Sequence, residues 1–166
     1  MAVARFSETN KIGKKYEYSA IKFFKKHGIK YENVSSNKDY HDFITDKLGK
    51  VEVKLNYHDA IYYHPGLYFW IELEVGDSEG WWHKTTADHF LFYNTEDSAV
   101  LIRNDDVFKK FINDLIQNGD RYVNRFDYKA DQRYNRVIQA KNMRCYLEQL
   151  ENTQVNLTKI VKRRKI

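Results

Sequence analysis

The sequence predicts a single domain of the α/β or α+β class, and three observations support this. The chain has 166 residues, of which 42% are hydrophobic and 16% aromatic, so it can form one sizeable core but not two full domains. Segments whose apolar residues alternate, as in strands, are mixed with segments of helical spacing. Because no long linker, internal repeat or low-complexity tract separates them, one mixed domain is expected.

The first predicted element is a helix from about residue 14 to residue 27, ended by Gly28, after an irregular segment at 1–10. Four of its side chains share one face by their spacing: Glu17, Ala20, Ile21 and Phe24. Glu17 therefore lies on the apolar stripe or at its edge. A boundary carboxylate paired with a lysine or a tyrosine explains this position equally well.

A β-hairpin is predicted over residues 40–55, with the turn Asp-Lys-Leu-Gly-Lys in its middle. On its second strand two valines alternate with Glu52 and Lys54, which therefore share a face. Asp42 lies on the first strand. The hairpin thus brings two acids and a lysine together.

The other core elements follow in chain order. Further strands are predicted at 29–34, 66–75, 89–93 and 99–102. The second of these places Glu72 and Glu74 on one face, which a half-solvated sheet also explains. Residues 81–88 are expected to be a loop that enters a short helix. A helix at about 106–117, capped by Asn104 or Asp105, has a predicted buried stripe of Val107, Phe108, Phe111, Ile112 and Leu115.

The chain becomes more polar and charged after Gly119. A helical pattern near residues 133–150 predicts a second helix there, and its apolar candidates are Val137, Met143, Tyr146, Leu147 and Leu150. We therefore expect a core at 1–118 and a helical extension at 119–166 that is not an independent domain. The extension is expected to pack on the core or on a second subunit.

Charge and cysteine content indicate the setting of the protein. The formal charge is +5, and five basic residues at positions 159–165 account for this excess. This tail is either a phosphate-binding arm or a solvated terminus. One cysteine, Cys145, forms no internal disulfide, and no early apolar run resembles a signal peptide or a membrane span. A cytoplasmic protein without membrane association is the expectation.

The charged side chains of the hairpin suit a metal-dependent phosphodiesterase site. Carboxylate oxygens bind Mg²⁺, which polarises a phosphate and lowers the pKa of bound water. A lysine nearby orients or deprotonates that water, or offsets charge on the phosphorane. An acid-x-Lys pattern alone is weak evidence for such a site, because any exposed strand face can carry it. Asp42 on the preceding strand and the helix with Glu17 add weight.

Other chemistries have less support. One cysteine and no close histidine pair argue against structural zinc, and neither a glycine-rich phosphate loop nor a nucleophile elbow is present. The aromatic and basic run at residues 81–84 suits contact with DNA, although burial of one tryptophan in the core is the more common arrangement.

In the residues described above, the sequence resembles the PD-(D/E)XK nuclease superfamily. The order and spacing of these residues resemble those of the phage junction-resolving endonucleases within that superfamily. The resemblance covers about residues 14–102. Its motif consists of Glu17 on the first helix, Asp42 before an apolar pair, and Glu52-Val53-Lys54 after nine intervening residues. Downstream, Thr85, Thr86, Ala87 and Asp88 resemble the opening of a second core helix. The proline of the family name is absent, and His41 stands in its place.

The resemblance implies a restriction-endonuclease-like core, which is a central mixed sheet of four to five strands flanked by helices. It implies that Asp42, Glu52 and the carbonyl of Val53 bind Mg²⁺, with Mn²⁺ able to substitute, and that Lys54 contacts the attacking water. Glu17 would complete the acidic cluster directly or through water. Glu72 and His41 are weaker candidates for the site.

The expected activity is Mg²⁺-dependent endonucleolytic hydrolysis of DNA, including branched or phage DNA. A homodimer is expected because one site cuts one strand. The expected DNA-binding residues are Lys14, Lys15, Lys84, Thr85, Thr86, Lys162, Arg163 and Arg164. Two alternatives stay open: a catalytically inactive module that binds nucleic acid or protein, and a restriction-type or RNA-directed nuclease.

Overall fold

The computed structural model describes residues 6–35, 41–55, 68–95, 98–118, 123–131 and 136–161. The helices in these ranges are α1 (Phe6–Lys26), α2 (Trp81–Lys84), α3 (Asp106–Asn118) and α4 (Leu147–Glu151). The strands are β1 (Tyr31–Asn33), β2 (Phe43–Thr45), β3 (Gly49–Leu55), β4 (Tyr68–Val75), β5 (Ser78–Glu79), β6 (His89–Thr95), β7 (Ser98–Arg103), β8 (Val123–Asp131), β9 (Arg136–Tyr146) and β10 (Leu157–Val161). The predicted mixed α/β class is confirmed.

The strands form two sheets. The larger sheet has six strands in the order β1-β2-β3-β6-β7-β10, and it is mixed because β3 and β6 run parallel while the other neighbours run antiparallel. The smaller sheet is antiparallel, in the order β5-β4-β9-β8. The larger sheet thus exceeds the four to five strands expected, and β4 belongs to the smaller sheet. A restriction-endonuclease-like core stays a prediction.

Helix α1 packs on one face of the larger sheet. Tyr16, Ala20 and Phe24, four residues apart, are buried against Phe43 of β2 and Val51 of β3. The helix begins at Phe6 rather than near residue 14, because polar residues without apolar periodicity also form helices. The turn after it contains a glycine at position 28 with φ +64°, the left-handed conformation common after helices.

The other face of the larger sheet packs against the smaller sheet and α3. Phe90 and Phe92 of β6 belong to the same buried cluster as Ile71 of β4, and buried residues of β9 and α3 complete this second cluster. The Phe108 N–H donates to Asp105 Oδ1 at 3.0 Å, so Asp105 caps α3. Val107 was predicted to be buried, but it is 44% exposed because it lies outside the face that meets the sheet.

The C-terminal part is not the predicted helical extension. Residues 136–146 form β9 where a helix was expected, and α4 has only five residues. Met143 and Cys145, two positions apart, are both fully buried, which fits a strand. Pairing of β9 with β4 and β8 outweighs the local helical spacing. Strand β10 then pairs with β7, so this part of the chain contributes to both sheets.

The segment after α2 also differs from expectation. Residues 85–88 do not open a helix, because α2 ends at Lys84 and the Thr85 N–H donates to the Trp81 carbonyl at 2.8 Å. The chain then runs directly into β6. No helix in the described part of the chain is long and apolar enough to cross a lipid bilayer.

Candidate active site

The hairpin of β2 and β3 places the predicted acids beside each other. Phe43 pairs with Val51, and one position beyond this pair Asp42 lies next to Glu52. Because Val51 faces the cluster under α1, Glu52 faces the opposite side of the sheet, towards α2. The register predicted from the turn therefore brings Asp42, Glu52 and Lys54 into one site.

Glu52 is 5% exposed, and both of its carboxyl oxygens have partners. Oε1 lies 2.7 Å from Lys54 Nζ, and Thr85 Oγ1 donates to Oε2 at 2.7 Å. A buried carboxylate requires such partners to stay charged. The Lys54 side chain is 29% exposed, so its ammonium group joins the buried carboxylate to the surface.

Asp42 is held by the backbone of the neighbouring strand and carries a perturbed pKa. The Val53 N–H donates to Oδ2 at 2.8 Å, and Oδ1 accepts no hydrogen bond from the described residues. Burial raises the pKa of Asp42 to about 6, while the Val53 hydrogen bond and the Lys54 charge lower it. The charges of Glu52 and Glu17 raise it further. The Lys54 ammonium group thus lies near two carboxylates, those of Glu52 and Asp42.

Glu17 and His41 lie around this centre and contact other residues. Ser35 Oγ donates to Glu17 Oε2 at 3.3 Å, and the charge of Glu17 raises the pKa of Asp42. His41 is 7% exposed, and its Nδ1 lies 3.0 Å from Thr86 Oγ1. Its Nε2 is buried and finds no hydrogen-bond partner among the residues described. The adjacent threonines thus connect Glu52 with His41.

Helix α2 adds a residue that the sequence did not assign to the site. The indole ring of Trp81 lies 4.8 Å from Lys54 Nζ. The backbone N–H of Trp81 donates to Glu72 Oε1 at 3.3 Å, so Glu72 fixes the start of α2. The only sequence signal for these contacts is the spacing of Trp81 and Thr85, which are four residues apart. In the structure they lie at the two ends of a short helix, and both contact side chains of β3.

The acids fit a magnesium ion by their chemistry but do not form a complete cage. In the described ranges, no three His, Cys, Asp or Glu side chains form a group that could hold a metal ion. Asp42 and Glu52 offer the oxygen ligands that Mg²⁺ prefers, usually one or two carboxylates plus water and phosphate oxygens. The open Oδ1 of Asp42 and the excess of acids over lysine therefore suit a cation.

The predicted DNA-binding residues lie in different places. Lys14 and Lys15 are exposed on α1, and Lys84 is half-buried at the end of α2. Thr85 and Thr86 bond to Glu52 and His41 as described above. Residues 162–164, which include the basic tail candidates, lie outside the described ranges. Contact of these residues with DNA stays a prediction.

Comparison of the chain with models of known protein families, with curated proteins and with solved structures gave no significant match. Membership of the PD-(D/E)XK superfamily therefore stays a prediction. The function is inferred from the side chains of this site.

Proposed function

We propose that the chain is a Mg²⁺-dependent endonuclease of the PD-(D/E)XK type that hydrolyses phosphodiester bonds in DNA. The observation that carries the proposal is the adjacency of Asp42, Glu52 and Lys54, together with a pKa of about 6 at Asp42. A structural ion pair needs one acid for one lysine. Among the described residues the additional acid, Asp42, shares the charge of Lys54 and has no ion pair of its own, and perturbed carboxyl groups of this kind are common at catalytic sites.

Each residue has a distinct proposed role. Asp42, Glu52 and the Val53 carbonyl would bind Mg²⁺, with Glu17 contributing directly or through water. Bound Mg²⁺ supplies a Lewis acid that polarises the phosphate and lowers the pKa of water. Lys54 has three N–H donors, of which Glu52 takes one, so the others are available for the attacking water or a phosphate oxygen. Thr85 keeps Glu52 in place.

The proposed substrate is duplex or branched DNA, held by phosphate contacts from Lys14, Lys15, Lys84 and the basic tail. Cleavage of both strands would need a homodimer, because one site cuts one strand. The only cysteine is buried, and burial raises the pKa of its thiol, so it needs no oxidising compartment. The protein is therefore proposed to act in the cytoplasm.

The test is a cleavage assay on supercoiled, linear, four-way-junction and single-stranded DNA and on RNA, with Mg²⁺, Mn²⁺ or EDTA. Lys54→Met is expected to lower the cleavage rate by about a thousandfold while leaving DNA binding nearly unchanged. Lys50→Met is the matched control, because Lys50 is exposed at the other end of β3. Absence of cleavage by the wild type, or full activity of Lys54→Met, would overturn the proposal.

A second candidate function is a non-catalytic module that binds nucleic acid or protein. It is favoured by one observation: Lys54 and Thr85 already satisfy both oxygens of Glu52, as in a purely structural ion pair. Calorimetric titration with Mg²⁺ and Mn²⁺, with and without DNA, separates the two functions. Binding of DNA without any divalent-ion binding supports the module.

In the cleavage assay, preference for RNA or for one DNA sequence would instead indicate an RNA-directed or restriction-type nuclease.

A further inference from the structure

Two groups surround the ammonium group of Lys54. Glu52 Oε1 lies 2.7 Å away, and the centroid of the Trp81 ring lies 4.8 Å away. A cation at this distance from an indole face is attracted by the ring quadrupole. Because the lysine stem is flexible and the side chain is partly exposed, the ion pair alone leaves the ammonium group free to turn towards solvent.

The Trp81 ring is itself held firmly. Its centroid lies 5.4 Å from that of Phe90, 6.1 Å from that of Phe92 and 6.3 Å from that of Trp82. The backbone N–H of Trp81 is bonded to Glu72, and the preceding Gly80 is buried against β4 so closely that a Cβ atom there would overlap the Glu72 carbonyl. The partly buried ring is therefore a fixed surface packed on the core.

We propose that Trp81 is a positioning residue for Lys54, whose ammonium group it holds against Glu52. The catalytic consequence rests on the function proposed above, whereas the contact itself does not. In this arrangement the indole fixes one side of the ammonium group and Glu52 fixes another. The remaining N–H donors then point in defined directions, as a group that orients water or phosphate must.

The neighbouring tryptophan provides a matched control. Trp82 belongs to the same aromatic cluster, is 8% exposed, packs on Phe90 and Phe108, and donates from Nε1 to Asn113 Oδ1 at 3.4 Å. Within the described part of the chain, the ring contacts and the hydrogen bond of Trp82 are made with residues other than Lys54. A substitution there disturbs the same part of the core without removing the ring under the ammonium group.

The first measurement is independent of activity. Because Lys54 Nζ lies 4.8 Å from the centroid of the Trp81 ring, the methylene protons next to it are expected to lie within the shielding region of the ring. Their NMR signals should therefore appear upfield of ordinary lysine signals, and they are assigned by their loss in Lys54→Met. In Trp81→Leu they should return to the ordinary position, in Trp81→Phe they should keep part of the shift, and in Trp82→Phe they should keep most of it. An unshifted wild-type signal would overturn the contact.

The second measurement is steady-state cleavage of DNA with Mg²⁺. Trp81→Leu is expected to lower kcat about tenfold with little change in KM. The reason is that the energy of a cation–π contact of this kind, when lost from the transition state, corresponds to a change in rate of about that size. Trp81→Phe should recover part of kcat, and Trp82→Phe should leave kcat unchanged although it lowers the unfolding temperature. Unchanged kcat in Trp81→Leu would overturn the positioning role. If the wild type shows no cleavage, the proposed function fails, and the NMR signals alone decide whether Trp81 positions Lys54.

Discussion

Polar side chains lie around both ends of strand β3, and the two ends use them differently. At the end near Asp42, Glu52 bonds to the side chains of Lys54 and Thr85. At the opposite end, Asp88 Oδ2 accepts the Lys50 N–H at 2.8 Å, and His89 Nδ1 donates to the Leu48 carbonyl at 2.7 Å. That end also borders a cavity of about 550 Å³.

The difference concerns what each group bonds to. Side chains that bond to turn and cap backbone, as Asp88, His89 and Asp105 do, satisfy groups that the fold itself leaves open. Glu52 and Lys54 instead form an ion pair on one face of the sheet, and Asp42 lies beside this pair. The fold does not require charged side chains at these positions. This cavity lies at the end of β3 away from the side chains of Asp42, Glu52 and Lys54, so an opening alone does not locate chemistry.

The largest expected effect contrasts one carboxylate from each end. Glu52→Gln should lower Mg²⁺-dependent cleavage by about a thousandfold or more, since it removes a proposed metal ligand and the partner of Lys54. Asp88→Asn should leave cleavage unchanged, because an amide oxygen still accepts the Lys50 N–H. Rates of plasmid nicking measure both. Equal losses in the two variants would remove the distinction between the ends.

The next effect is on stability and follows from the pKa of Asp42. This pKa is raised from 3.8 to about 6, so the folded state binds the proton more tightly than the unfolded state. The stabilising contribution is complete below pH 3.8 and is lost as the pH rises through about 6. The shift corresponds to about 3 kcal/mol of unfolding free energy at neutral pH, so Asp42→Asn should be more stable by roughly that amount above pH 7 and equally stable in acid.

Urea unfolding at acidic and at slightly alkaline pH measures this difference, and a pH-independent difference would contradict it. Addition of Mg²⁺ at alkaline pH supplies a linked test. It should raise the unfolding temperature of the wild type, because a ligand of the folded state stabilises it, and should have little effect on Asp42→Asn. An equal rise in both proteins would place the ion elsewhere.

A smaller effect tests the opposite end. Gly49 has φ +66°, and a Cβ atom there would collide with the carboxyl group of Asp88. Gly49→Ala should therefore cost about 1–3 kcal/mol of unfolding free energy, while cleavage per folded molecule is retained. Gly13→Ala is the control, because Gly13 lies in α1 with open space around its Cβ position and should gain up to about 1 kcal/mol. Loss of cleavage in folded Gly49→Ala would show that the two ends are coupled.

The smallest effect concerns the cap of α3. Asp105→Ala removes the acceptor of the Phe108 N–H and should cost about 1 kcal/mol without changing cleavage. Val107→Ala, at an exposed position of the same helix, should cost less than about 0.5 kcal/mol. Thermal unfolding compares the two, and an equal cost would mean that the cap hydrogen bond contributes little.

Local sequence patterns predicted the elements whose formation depends on local signals. Clear periodicity or turn residues mark the apolar stripe of α1, the hairpin of β2 and β3, and strand β6. The adjacency of Asp42 and Glu52 could therefore be predicted from the register of the hairpin. The membership of β4 in the smaller sheet could not, because its partner β9 lies far along the chain. The apolar spacing near residues 133–150 fits a helix as well as a strand, and only this pairing decides.

The same limit applies to the site. The contacts of Glu52 with Thr85 and of Lys54 with Trp81 join β3 to a segment some thirty residues away in the chain. This segment follows β4 and β5, and no local pattern specifies where it packs. Likewise, the contact of Glu17 with Ser35 depends on how α1 packs beside β1. The residue types of a site can be predicted from a sequence, whereas contacts between distant segments depend on how those segments pack.

The order of the strands has a consequence for biosynthesis. Because β4 pairs with β9 and β7 pairs with β10, each sheet is completed only after residues much later in the chain have been synthesised. Until then, β4 and β7 each present an open edge to other nascent chains. Termination of synthesis between α3 and β9 would release a chain that carries Asp42, Glu52 and Lys54 but leaves β4 and β7 without these partner strands, and such a product is prone to aggregate.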